Sequence, residues 1–588
     1  MILLLRKNIL IILILVFAFF LRVYQSGSHG IYLDEKYTMV ISQGIVMEGA
    51  NQKDVFFAPS KTTFTPAEFW KPKSLDDFIE ANIRGDIGNS PSYYVVLWLW
   101  MKIFGLSDFS ARFPSVLAST LLVGLLFIFV KRHFKSTNLA LLSAFLAAIE
   151  PFFVAYSHMA RNYSMSFFLT LLATHVFLII YERTKAGKKS AAYFVAYGLI
   201  LALSLLSHYL TLTVFLCHGL FVLFYIRPFK RWIVYLATTL AGISIVSLWF
   251  IYGGGSYTFK TLAHQAKLYK DVALNNPTNN GYGEILPATL ANVSQKSLPL
   301  FTDLFIFSNG LGQFKTLGIR NMALALFLGT AAVLMLHLFR RKQKLPLWVA
   351  LLYPVLLIAG LPFFSVTNLQ LVALAALPSF IYLLIISLGS KDADLPAPLL
   401  VFTLILSFVP TLFLIVMAFR NGHTYGITQR YSGFSFPYTV ILIAFMIRQL
   451  SRLPLAFRGA LAAVLCIQLF FVAKLLNDVY QDRAPKYTYF SITRQPNPYY
   501  VTAQKIKQLY AVGDTVVYPS RKLYFHDEIE KTYWPYSIQD AQLTNLYLPR
   551  DAKYVQRLDT TETDKIILTK PRGVKITLFD LQGKTYRY

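Results

Sequence analysis

Two adjacent carboxylates, Asp34 and Glu35, stand in the stretch GIYLDEKYT at residues 30–38. They lie a few residues beyond a charge-free apolar run, Ile9 to Leu21, that ends in Arg22. A carboxylate beside lipid headgroups is partly desolvated, which raises its basicity and suits it to take a proton from a hydroxyl or an amine. Adjacent residues in a turn or extended segment point different ways. One acid then faces a substrate while the other holds the loop or a metal. The plainer alternative is a pair of solvated loop charges with Lys36 as neighbour. Further along, arginines recur near the ends of apolar runs: Arg112 in FSARFP, Arg161 in HMARNYS and Arg430 in TQRYS. Arginine grips a phosphate through two N–H groups, and it also snorkels to headgroups with no other duty. His158, His208, Tyr93 and Tyr94 are the other polar or aromatic candidates at these boundaries.

The elements that must position these residues are membrane helices. Of 588 residues, 55% are hydrophobic and 14% charged, and the mean hydropathy is +0.50. That balance leaves too little polar surface for a soluble protein of this length. Apolar stretches of spanning length recur, and a chain that satisfies its own backbone in lipid does so as helices. The net charge of +27 follows from Lys and Arg in cytoplasmic loops and does not call for nucleic acid. Cys217 and Cys466 lie in apolar runs as packing residues. The first run lacks a small-residue cleavage site and reads as a retained span.

Basic clusters at 131–135, 183–189, 227–231, 340–344, 391 and 448–452 are placed inside together with Arg6 and Lys7. Thirteen crossings follow, near 8–24, 112–130, 138–157, 163–182, 190–207, 209–226, 231–252, 320–339, 345–364, 367–389, 397–418, 433–448 and 454–474. The N-terminus is then inside and the C-terminus outside. The apolar segment 93–104 is short, begins after Pro91 and is expected to be re-entrant or interfacial. The expected organisation is a transmembrane module at 1–252 with an external loop at 25–111, an external loop at 253–319, further helices at 320–474, and a small soluble α/β domain at 475–588. In that last part, 499–511 reads as a helix and 515–518, 565–569 and 574–579 as strands. The 253–319 loop carries His264, Lys267, Lys270, Asp271, Asn275 and Asn276 and is long enough to be a lid or acceptor-binding element. Glu150 and Arg458 sit only near span ends. This argues against an ion-coupled transporter, which keeps ionisable groups in its span interiors.

The ordered set of an acid pair, Pro91 followed by Tyr93-Tyr94, Phe104-Gly105-Leu106-Ser107 with Arg112 and Pro114, and Ala160-Arg161-Asn162-Tyr163-Ser164 resembles the dolichyl/undecaprenyl-phosphate-sugar mannosyltransferase type. That family includes the protein O-mannosyltransferases and the lipid A aminoarabinose transferases. The resemblance covers about residues 5 to 230 and is looser to 474, where Gln429-Arg430-Tyr431 is similar to an Arg-Tyr element of bacterial members. Two departures stand out: Ser90 and Ser92 flank one proline where bacterial members have two, and Met159 replaces a common glutamate, next to His158.

The resemblance implies an all-α polytopic GT-C fold of about 13 transmembrane helices in a plasma or inner membrane. It implies a polyprenyl-phosphate-linked sugar as donor and an extracytoplasmic lipid, glycan or protein as acceptor. By the same resemblance Asp34 is the general base, with Glu35 as second choice. Arg161, Arg112 and Arg430 hold the donor phosphate, and Tyr93, Tyr94, His158, Tyr163 and His208 contact substrate. Members differ in metal use, so a divalent metal stays open. The competing class is a transporter or flippase of lipid-linked sugars.

Overall fold

The computed structural model describes residues 2–46, 62–86, 90–280, 282–341, 346–365, 368–389, 397–483, 487, 497–520, 537–562 and 564–583. Lys342, Lys344 and Lys391, used in the sequence reading, lie outside these.

Every expected crossing falls on a helix. Among the described residues eight helices are long and apolar enough to span: Asp108–His133, Tyr163–Lys185, Phe229–Tyr252, Ile319–Arg340, Leu369–Ser387, Ala397–Asn421, Gln429–Leu450 and Leu455–Tyr480. The span expected at 138–157 is a pair, Thr137–Ile149 and Pro151–Ser157, bent by 54°. Shorter apolar helices, Ile9–Val23, Ala191–Ser207, Tyr209–Tyr225 and Trp348–Phe363, take the other places. The chain is a multi-pass helical membrane protein. Segment 93–104 forms the helix Pro91–Phe104, whose 14 residues reach about 21 Å, short of the hydrocarbon thickness.

Local chemistry sets the helix ends near the site. Ser107 caps Asp108–His133 by accepting from the Ser110 N–H at 3.0 Å, and Lys131, Arg132 and His133 close its last turn against the helix dipole. Glu150 is extended and accepts from the Phe152 N–H, and Pro151 opens the next helix where no N–H is needed. That break directs the chain into the turn 158–162. Gly253 ends Phe229–Tyr252, as expected of a stop. A Cβ there would fall 2.2 Å from the Trp249 ring.

The segment 253–319 is largely helical rather than a loop, with Ser256–Asn275, Leu290–Asp303 and Phe314–Leu317. The tail forms the helix Pro498–Leu509 and strands β2 (Thr515–Pro519), β3 (Val555–Asp559), β4 (Lys565–Thr569) and β5 (Lys575–Asp580). The sheet is completed by β1 (Thr63–Phe64) from the first loop, in the order β1-β3-β2-β4-β5. β2 and β3 run parallel and the other pairs antiparallel. One apolar core fills the membrane part. A second core joins Met39, Val40, Phe64 and Tyr93 of the N-terminal region to Tyr499, Val516 and Leu543 of the tail.

Candidate active site

Asp34 and Glu35 open the helix Leu33–Ser42, where carboxylates favour the positive dipole end. They face different ways. Glu35 is fully buried and makes a capping box, its Oε2 accepting from the Tyr32 N–H at 3.1 Å. Arg112 donates to the same carboxylate through Nε at 2.7 Å and Nη2 at 2.9 Å, and the Ala160 N–H donates at 2.8 Å. The remaining Arg112 donors go to the carbonyls of Ser26, His29 and Gly30. All five guanidinium N–H groups are therefore used, and Arg112 is 1% exposed. The sequence reading gave Arg112 to a phosphate and Glu35 to catalysis. In the structure each is occupied by the other. The bidentate pair ties the acid helix to the start of Asp108–His133 and to the turn 158–162.

Asp34 stays half-open. Its Oδ2 accepts from the Tyr32 hydroxyl at 3.0 Å and lies 3.8 Å from Arg430 Nη1, with side-chain exposures of 32% and 17%. Arg430 sits on the short helix Gln429–Ser432 with its guanidinium over the Tyr431 ring, 4.8 Å from the centroid. Arg161 reaches the acid helix Leu33–Ser42 directly. Its Nη1 donates to Thr38 Oγ1 at 2.8 Å and to the Asp34 carbonyl at 3.2 Å. His208, between Ala191–Ser207 and Tyr209–Thr211, closes the group. Its Nδ1 accepts from the Leu210 N–H at 3.1 Å, which leaves the proton on Nε2. Burial, then the charges of Arg161 and Arg430, push its pKa down to about 3. One carboxylate, two guanidiniums and a neutral imidazole thus converge from four separate stretches of chain.

Tyr163 packs against His208 with ring centroids 5.6 Å apart. His158 is buried 5.9 Å from the Tyr480 ring. Tyr93 and Tyr94 are each 1% exposed and belong to the second core. The Tyr93 hydroxyl bonds Ser115 Oγ at 3.1 Å, so these tyrosines back the site rather than face a substrate. Asp34 and Glu35 do not make a cation site together, since Arg112 holds both Glu35 oxygens. Among the described residues no group of three His, Cys, Asp or Glu side chains is arranged to hold a metal.

Residues 89–252 match the dolichyl-phosphate-mannose-protein mannosyltransferase family. The resemblance drawn from the motifs is borne out over this segment, which holds Arg112, Arg161, Tyr163 and His208. A comparison with curated protein sequences returned no match. Among solved structures, the oligosaccharyltransferase of Archaeoglobus fulgidus tethered to an acceptor peptide is 13% identical, with a TM-score of 0.43 over 86% of this chain and 57% of that one. The chain thus spans little more than half of that protein's length. The same archaeal enzyme with an inhibitory peptide and a dolichol-phosphate is 14% identical, TM-score 0.41, over 86% and 58%. ArnT from Cupriavidus metallidurans bound to undecaprenyl phosphate is 14% identical, TM-score 0.36, over 92% and 85%.

Within the mannosyltransferase-like segment, Asn162 was overlooked as a site residue. Its Nδ2 donates to Ser90 Oγ and to the Ser207 carbonyl, at 2.6 and 2.5 Å. It thereby joins the turn bearing Arg161 to the stretch bearing His208. Its place between Arg161 and Tyr163 was the available signal. Asp303 was also missed. It accepts from Gln429 Nε2 at 3.2 Å and from the Gly310 N–H at 3.0 Å. The segment 253–319 therefore braces the helix carrying Arg430.

Proposed function

We propose that this protein is an integral membrane glycosyltransferase that moves a sugar from a polyprenyl phosphate to an acceptor on the extracytoplasmic face. The observation that carries the reading is the half-open Asp34 carboxylate 3.8 Å from Arg430, with the Arg161 guanidinium on the Asp34 carbonyl and Thr38 of the same helix. A general base and a phosphate cradle are thus side by side. The family match over 89–252 supports the donor class, and the placement of Lys and Arg in the sequence supports the sidedness.

Asp34 takes the proton of the acceptor hydroxyl or amine as its electron pair forms the new bond to the anomeric carbon. The bond from that carbon to the phosphate oxygen breaks, and its electron pair stays on the polyprenyl phosphate. Attack opposite the leaving group inverts the anomeric centre, as in inverting hydrolases. Arg161 and Arg430 neutralise the charge that grows on the phosphate, where preorganised donors act most strongly. His208, kept neutral, offers its Nε2–H to a phosphate oxygen. Glu35 and Arg112 are positioning residues: they orient the first turn of the acid helix and hold no substrate.

Mass spectrometry of envelope lipids, glycans and proteins with and without the gene identifies the product. In Asp34→Asn membranes its formation should fall about 10²–10⁴-fold, as expected for a lost general base. Binding of undecaprenyl phosphate should persist. Wild-type product levels in D34N would remove the base and favour a flippase for a lipid-linked sugar.

A further inference from the structure

Lys36, two residues past the proposed base, is 1% exposed. An ammonium withdrawn from water carries a penalty of several kcal/mol unless charges around it compensate. Part of the compensation comes from the tail. The Lys36 ammonium stands 5.1 Å from the centroid of the Tyr499 ring. The Tyr499 hydroxyl donates to Asp540 Oδ1 at 2.8 Å. The carboxylates of Asp540, Asp108 and Glu35 favour the charged ammonium there. Asp108, at the start of Asp108–His133, is in turn held by the tail: Asn497 Nδ2 donates to it at 2.9 Å and the Tyr547 hydroxyl at 2.6 Å. A further bond runs from Gln542 Nε2 to the Val46 carbonyl at 2.7 Å, just beyond the acid helix.

Apart from Glu35, the proposed mechanism uses none of these groups. We infer that Lys36 and Asp540 form a latch by which the tail sets the orientation of the acid helix, making Asp540 a positioning residue for Asp34. Asp34 leaves the helix on one face and Lys36 on another. A fixed ammonium therefore fixes the rotation of the helix and the aim of the carboxylate. A general base out of line by an ångström loses much of its effect. The donor phosphate is held from the turn 158–162 and from Gln429–Ser432, whose arginines touch the acid helix only at Asp34 and Thr38, so loss of the latch should weaken its binding less than it slows turnover. The turnover part of this inference rests on the glycosyltransferase reading; the helix-anchoring part does not.

The test uses the full chain in detergent or nanodiscs, with Asp540→Asn, Lys36→Met and the double variant. Hydrogen exchange of peptides covering residues 33–42 reads the latch directly. Undecaprenyl phosphate is the binding probe, and formation of the gene-dependent product reads turnover. In D540N, exchange over 33–42 should rise about fivefold and product formation fall about tenfold, with undecaprenyl phosphate affinity within about twofold of wild type. The double variant should be no worse than D540N alone, because both changes break the same contact. Unchanged exchange in D540N, or a double variant whose losses are the sum of those in D540N and K36M, overturns the latch. If D540N does not accumulate folded, Tyr499→Phe removes one hydroxyl from Asp540 and should slow product formation about threefold with affinity unchanged. No change in that variant overturns the latch as well. If exchange responds as stated and wild type transfers no sugar, the latch stands and the glycosyltransferase reading fails.

Discussion

Arginines that look alike in the sequence have different duties. Arg112 spends every donor on Glu35 and three carbonyls, whereas Arg161 borders the open site. Arg112→Ala would leave a buried carboxylate unpaired, a loss of about 3–5 kcal/mol. The variant should accumulate poorly, as read by fluorescence-detected size exclusion. Arg161→Ala should fold and lose about 10²–10³-fold in product formation, as for a deleted transition-state donor. His208 gives a pH signature. Its ordinary pKa of 6.5 is driven down to about 3 in the fold, so the unfolded chain binds a proton that the native state refuses. Its contribution to stability is complete above about pH 6.5 and is lost as pH falls towards 3. His208→Gln should show a smaller drop in Tm between about pH 7.5 and about pH 5 than wild type does. The sequence displayed the residue types at these positions and their order. It could not show that Glu35 pairs with Arg112, 77 residues away, because nothing local marks which guanidinium meets which carboxylate.

Elements were more legible than contacts. Apolar length placed a helix at every expected crossing, eight of them long and apolar enough to span on their own among the described residues. The break at Glu150-Pro151 was hidden, because a proline less than two turns from a span end reads the same whether the helix bends or not. The segment 253–319 was read as a loop since its helices carry no apolar run of spanning length. The Arg430 element depends on a close approach. A Cβ at Gly433 would stand 2.3 Å from Phe167 Cζ and 2.8 Å from Phe152 Cζ, and both rings lie in the main core. Gly433→Ala must therefore displace the helix Gln429–Ser432 or distort that core. Overpacking of this kind carries about 1–3 kcal/mol. Binding of undecaprenyl phosphate should weaken about tenfold while D34N-type loss of base is absent, which isothermal titration on the purified variant would check.

At the scale of the molecule, the membrane part matches its sequence reading closely, and the tail does so in its elements alone. Helix 498–509 and three strands were foreseen. The partner of β3, Thr63–Phe64, was not, since two residues carry no period. That pairing, the shared apolar core and the bond from Trp70 Nε1 to the Asn545 carbonyl at 3.0 Å make the tail and the first loop one body. A protease site inserted between residues 483 and 497 should therefore cut without releasing the tail. After cleavage, both pieces should co-elute in size exclusion at neutral pH. Separate elution would show that the shared core does not hold.

The same shared core sets an order of assembly. Residues 33–42 leave the ribosome early, but their packing partners at 497–548 are made some 450 residues later. At about 5–20 residues per second, the proposed base spends tens of seconds without the tail before its core can close. A nascent chain at that stage already has most of its membrane helices and lacks the tail side of that core. The last folded part thus commissions the first, and a chain truncated before residue 497 would be inserted but silent.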